Sequence, residues 1–239
     1  LQIIELNRLY YIQTKQSLLS QILQNTKDHG LQIVFKQILQ PKFDYIAQQI
    51  NSVLVSTQQI DQKLEKIALL LFCIDQAQCQ IVSTAYKLRY GNNIETELLK
   101  LQVAQNKFTI MFLQQWLCKT QQSGKDPKKE AQKVYEETNG LNTNEQFFIE
   151  LFQQNNSQQF QLIDKEYQQM YKETILDRLK GEFNGINLKI LKHCVQQYLN
   201  IEEFLSKINN DLGIKMNCIV HKAGDYKFEE LVMIYNDKK

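Results

Sequence analysis

The 239-residue chain is 43% hydrophobic and 23% charged, with a net charge of +2, 8 glycines and 2 prolines. That composition excludes a collagen-like or disordered polypeptide and provides no global field to draw the chain onto nucleic acid. Apolar runs such as Ile67–Ile74 are too short to cross a bilayer, and the N-terminus lacks the charged-then-apolar build of a signal peptide, so the chain reads as soluble. Cys73, Cys79, Cys118, Cys194 and Cys218 show no CxxC spacing and no paired histidines nearby. They read as free thiols on apolar helix faces in a reducing, cytoplasmic compartment. His29, His193 and His221 are scattered and read as structural or surface residues.

Apolar residues recur at spacings of three and four almost everywhere, which predicts an all-α chain. It opens on Leu1, not Met, and so reads as an interior piece of a longer polypeptide. Tyr10, Thr14, Leu18 and Ile22 form one helical frame, followed by the apolar stretch Ile33–Leu39. Pro41 suits the first turn of a helix through Phe43, Ile46 and Ile50. The frame returns as Tyr86, Tyr90, Ile94 and Leu98, with Phe108–Leu113 downstream. Gly91 predicts a left-handed cap after Tyr90, and Asn93 with Glu95 and Glu97 predicts the next helix start. Lys119–Lys129 is the most linker-like stretch, and Asp126-Pro127 opens a helix reaching Glu137. Thr143 with Gln146 predicts a capping box, and the Gln/Asn run 153–159 reads as a solvated helix end. The frame returns once more as Tyr167, Tyr171, Ile175 and Leu179, each 81 residues beyond its counterpart (167 − 86 = 81), with Leu188–Val195 downstream. Three copies of one frame predict a helical repeat protein.

These residues resemble a known family. Ala85–Leu98, with its Tyr, three residues, then Tyr-Gly, is similar to the third and fourth helices of an annexin repeat. Asp177–Gly185 resembles the segment that follows in that family, and Gly140–Glu145 resembles its Gly-x-Gly-Thr-Asp-Glu loop. The resemblance covers nearly the whole chain and implies a right-handed superhelix of five-helix repeats. Residues 1–40 would be the C-terminal helices of repeat 1, 41–120 repeat 2, 121–199 repeat 3 and 200–239 the opening of repeat 4.

The resemblance also implies calcium. In annexins the first loop of a repeat donates backbone carbonyls and an acid lower in the repeat completes the site, a hard-oxygen set that suits this ion. The implied donors here are Asn139, Gly140 and Asn142 with Glu182, which is expected in a Lys180-Gly181-Glu182 turn, and Leu141 at the loop tip would dip into the headgroup layer. The alternative for the same residues is an ordinary helix-turn-helix capped by Gly140 and Thr143. The other repeats have lost the pattern. Repeat 2 has Gln58–Gln62 with no glycine and Leu101 at the acid position, repeat 1 has Asn25 there, and repeat 4 offers Asp211–Lys215.

Motifs for phosphate-loop, serine-hydrolase and zinc chemistry are absent from the sequence. The adjacent pairs Glu136-Glu137, Glu202-Glu203 and Glu229-Glu230 fall on helices, where sequence neighbours diverge. No catalysis and no nucleic-acid binding are expected. Two functions stand open: calcium-dependent attachment to acidic phospholipid, as a cytoplasmic peripheral membrane protein, or a structural block docked on cytoskeletal or ciliary proteins without calcium.

Overall fold

The computed structural model describes residues 9, 10, 12–14, 18–27, 42–74, 76–118, 125–139, 143–201, 203, 204 and 208. Among them eleven α-helices can be followed from end to end, and no strand occurs. Helix α1 (Leu18–Asn25) comes first. A set of five follows: α2 (Lys42–Val55), α3 (Ile60–Phe72), α4 (Gln76–Tyr90), α5 (Ile94–Leu99) and α6 (Lys107–Leu117), the last entered through a 3₁₀ turn at Ala104–Asn106. The second set is α7 (Pro127–Thr138), α8 (Glu145–Gln154), α9 (Ser157–Tyr171), α10 (Ile175–Glu182) and α11 (Gly185–Leu199). No helix of the described residues is long and apolar enough to cross a membrane.

The two sets keep the register read from the tyrosines. Helices α4 and α9 begin and end 81 residues apart (157 − 76 = 81; 171 − 90 = 81), and α5 and α10 begin at the same offset (175 − 94 = 81). The Tyr86 and Tyr90 rings lie 4.8 Å apart at 48°, and Tyr167 and Tyr171 lie 4.9 Å apart at 46°. The residue after each pair has a positive φ, +80° at Gly91 and +62° at Lys172. In the first set α2 packs against α4, and in the second α7 packs against α9. Asp126 accepts from the Lys128 N–H at 3.0 Å with Pro127 at the first helical position, as its sequence predicts.

Between the sets, α3 packs on α11 and α6 on α8. A chain of aromatic rings fills this seam: Phe72 with Trp116 at 4.6 Å, Phe112 with Phe152 at 6.0 Å, Phe152 with Phe160 at 5.1 Å and Phe160 with Tyr198 at 5.3 Å. Rings at these separations contribute about 0.5–1.5 kcal/mol per pair beyond the area they bury.

Several amides of the Gln/Asn run bond backbone carbonyls rather than water, which corrects the reading of the run as a solvated helix end. Gln153 donates to the Gln115 carbonyl at 3.2 Å, and Gln159 to that of Lys125 at 2.7 Å. Asn155 is buried and donates to the Leu151 carbonyl at 2.7 Å, while Asn156 caps α9. The run is a corner between two helices whose amides satisfy backbone groups that would otherwise be buried without partners. His193 is likewise structural: it is buried, with Nε2 2.9 Å from Glu65 Oε1, and ties α11 to α3. Cys73, Cys79 and Cys194 are buried and Cys118 is exposed, none of them in a disulfide. Pro41, Ile33–Leu39, His29, linker residues 119–124, His221, Cys218 and the Glu229-Glu230 pair lie outside the described residues.

Candidate functional site

Helix α10 is fixed at both ends. At its start the Thr174 hydroxyl accepts from the Asp177 N–H at 2.9 Å, and Asp177 reaches back to Thr174, closing a capping box. The bonds from Lys180 and Thr174 hold the Asp177 carboxyl below its ordinary value. The Ile175 N–H also donates to buried Asp164 on α9 at 2.9 Å. At its end Phe183 is buried, its ring 5.0 Å from Phe108 and 5.4 Å from Phe148. With both ends held, Arg178 and Glu182, one turn apart on α10, reach Thr138 at the end of α7 and Thr143.

Glu182 is the last residue of α10 rather than part of a turn. One carboxylate oxygen, Oε2, accepts from the Thr143 hydroxyl, and the other, Oε1, lies 3.4 Å from Arg178 Nη2. The same guanidinium donates to the Thr138 carbonyl at 2.6 Å and to the Thr138 hydroxyl at 2.8 Å. It lies 5.9 Å from the centre of the Tyr135 ring, which stacks on Tyr171 at 4.3 Å with the planes 3° apart. Arg178 therefore links the end of α7, the end of α10 and the aromatic pair below them. The sequence reading missed it, although its i, i+4 spacing to Glu182 was a usable signal.

Of the implied donors, Asn139 is exposed and ends α7, while Gly140, Leu141 and Asn142 lie outside the described residues. Thr143, directly after them, is the residue that touches Glu182. The expected Thr143–Gln146 capping box does not form. Asn144 caps α8 instead, accepting from the Phe147 N–H at 3.2 Å and donating to Glu137 at 2.8 Å. Gln146 bonds Glu150. The charge-assisted bond turns the Thr143 hydroxyl towards Glu182, and Asn144 serves the helix equally well one residue later.

The corresponding place in the first set is closed. Leu101 is half-buried against the core, and its carbonyl accepts from the amide of fully buried Asn106 at 3.0 Å. Asn25 donates to the Gln21 carbonyl of its own helix at 2.9 Å. Asp211–Lys215 lies outside the described residues.

Among the described residues no group of three His, Cys, Asp or Glu side chains converges, so a cation here would rely on backbone oxygens around one carboxylate. Of the implied donors among the described residues, the Glu182 carboxylate is of that hard-oxygen kind, which fits calcium. The Arg178 guanidinium lies 3.4 Å from the same carboxylate.

Residues 129–192 match the family model for annexins. No curated protein sequence matches the chain. Among solved structures, annexin III superposes with a TM-score of 0.73 at 20% identity, over 85% of this chain and 63% of that one. Calcium-bound alpha-1 giardin gives 0.70 at 13% identity, over 87% and 70%. Calcium-bound alpha-14 giardin gives 0.71 at 12% identity, over 98% and 81%. The chain thus spans less than two thirds of annexin III. It has the annexin fold of all-α repeats, and residues 129–192 carry the annexin sequence signature.

Proposed function

We propose that the chain is a peripheral membrane protein that attaches to acidic phospholipid through calcium held in its third repeat, 121–199. The boundaries 1–40, 41–120 and 200–239 enclose the remaining repeats in this reading. Carbonyls of Asn139, Gly140 and Asn142 with the Glu182 carboxylate would hold the ion, and Leu141 would enter the headgroup layer. Calcium so held supplies open coordination positions that lipid phosphate can fill. The observation that carries the reading is the Thr143–Glu182 hydrogen bond, which brings the acid from 39 residues away to the residue that directly follows Asn142 in the sequence. The calcium-bound alpha giardins of the same fold support it. No catalytic role enters this reading.

With repeat 2 closed by Leu101 and Asn106, and Asn25 turned onto its own helix, attachment rests on few contacts and lacks the gain of multivalency. Those same features favour a second reading, a structural block docked on cytoskeletal or ciliary proteins without calcium. Sedimentation with phosphatidylserine vesicles, with and without calcium, separates the two. Calcium-dependent pelleting that Glu182→Gln abolishes supports the first. Wild-type protein that stays in the supernatant with calcium in excess supports the second.

A further inference from the structure

The Arg178 guanidinium occupies the space that joins the Thr138 carbonyl to the Glu182 carboxylate, at 2.6 Å from the first and 3.4 Å from the second. It is held there by a further 2.8 Å bond to the Thr138 hydroxyl and by the Tyr135 ring. We infer that Arg178 is a resident cation that holds the end of α7 against the end of α10 and competes with calcium, setting how much calcium is needed. This rests on the reading of Glu182 as the calcium-binding acid.

The physical case is one of shared oxygens. Calcium draws on both oxygens of a bidentate carboxylate, yet one oxygen of Glu182 faces Arg178 and the other holds Thr143. A divalent ion and a guanidinium a few ångströms apart also repel, most strongly where water is partly excluded. Arg178 and Glu182 side chains are only 24% and 18% exposed. Binding the ion therefore draws on an oxygen that the guanidinium already faces, and the loss of this 3.4 Å ion pair is subtracted from the affinity. The guanidinium also satisfies the Thr138 carbonyl at the end of α7.

The test is calcium titration by calorimetry on the full chain for wild type, Arg178→Met, Arg178→Lys, Glu182→Gln and the Arg178→Met/Glu182→Gln double variant, each with a thermal melt. Met keeps an unbranched apolar stem and the helix preference of Arg but carries no charge, and Lys keeps the charge but lacks the planar fork that reaches both Thr138 oxygens. The expected result is that Arg178→Met binds calcium about tenfold or more tightly than wild type, that Arg178→Lys falls between, and that Glu182→Gln removes binding in either background. Damage to the fold would weaken binding, so a tighter constant in a protein that melts earlier is specific to competition. If wild type and Arg178→Met bind alike and both lose binding with Glu182→Gln, the competition is overturned while the site stands. If calcium fails to bind any form, or binds regardless of Glu182, the reading of the site fails and the inference falls with it.

Discussion

Gly91 and Lys172 stand 81 residues apart (172 − 91 = 81) and both end a helix in the left-handed region, at φ +80° and +62°. The turn is required by the fold at both places, but only one is glycine. A side chain there costs roughly 1 kcal/mol. Lys172→Gly is therefore expected to stabilise the protein by about 0.5–1 kcal/mol, and Gly91→Ala to destabilise it by about 1 kcal/mol. A Cβ at Gly91 meets nothing within 4 Å, so the penalty is conformational rather than steric. Urea unfolding of both variants checks it; equal shifts of the same sign would refute the equivalence.

The bond between His193 and Glu65 joins helices 128 residues apart in sequence, and Lys189 lies 3.5 Å from the same carboxylate. His193→Ala leaves a hole and strips a half-buried carboxylate of a donor, so a loss of about 2–4 kcal/mol is expected. Glu65→Gln keeps an acceptor oxygen and should cost about 1 kcal/mol. A double-mutant cycle by chemical denaturation measures the coupling, and a coupling near zero would mean that this pair does not help to hold α11 on α3.

Burial pushes the Tyr86 hydroxyl up to about 12, with Glu97 and Tyr90 adding to the effect. Burial also raises Tyr167, reinforced by its bond to Glu173, and raises Tyr198 well above the ordinary value. A group whose folded pKa is raised contributes its full stability below the unfolded value of 10.0 and loses it as pH climbs towards the folded one. Stability should thus hold up to about pH 10 on account of these groups, then fall by about 1.4 kcal/mol per pH unit for each tyrosine. Difference spectra against Tyr86→Phe, Tyr167→Phe and Tyr198→Phe isolate these three among the 11 tyrosines; their tyrosinate absorbance should appear only as helical circular dichroism is lost, and its appearance near pH 10 with the helices intact would contradict this.

Because Glu182 bonds Thr143 and lies beside Arg178, its replacement is not a silent surface change. Glu182→Gln and Thr143→Val should each lower stability by about 1 kcal/mol in calcium-free buffer. Melts that match wild type within error would show that this contact contributes nothing to folding.

The loop at Gln58–Gln62 is expected to hold no cation even in excess calcium, because Leu101 turns towards the core and its carbonyl is already bonded to Asn106. Crystals grown in calcium would settle the point through anomalous scattering, and a clear peak at this loop would overturn it.

The tyrosine frame was legible in the sequence because helix period and repeat length together leave little freedom: once Tyr86 and Tyr90 share a face, their counterparts 81 residues on must do so too. Gly91 and the Asp126-Pro127 start were legible because their backbone chemistry is local. The capping of α8 was not, since Thr143 and Asn144 both suit the role and the choice was made by Glu182, far away in the chain. The Gln/Asn run misled for a similar reason: composition registers polarity but not whether an amide faces water or a carbonyl. Arg178 was half visible, its pairing with Glu182 lying within one turn and its grip on Thr138 only in three dimensions.

The aromatic seam has a practical side. Trp116 is the one tryptophan in the chain, and it sits between Phe72 of one helical set and Tyr198 of the other. A single fluorophore therefore watches the junction itself and is silent on neither half. Loosening of one set alone would change its emission before much helix had melted, whereas loss of both as one body would make the optical and helical transitions coincide. The protein carries its own gauge of whether neighbouring repeats unfold together.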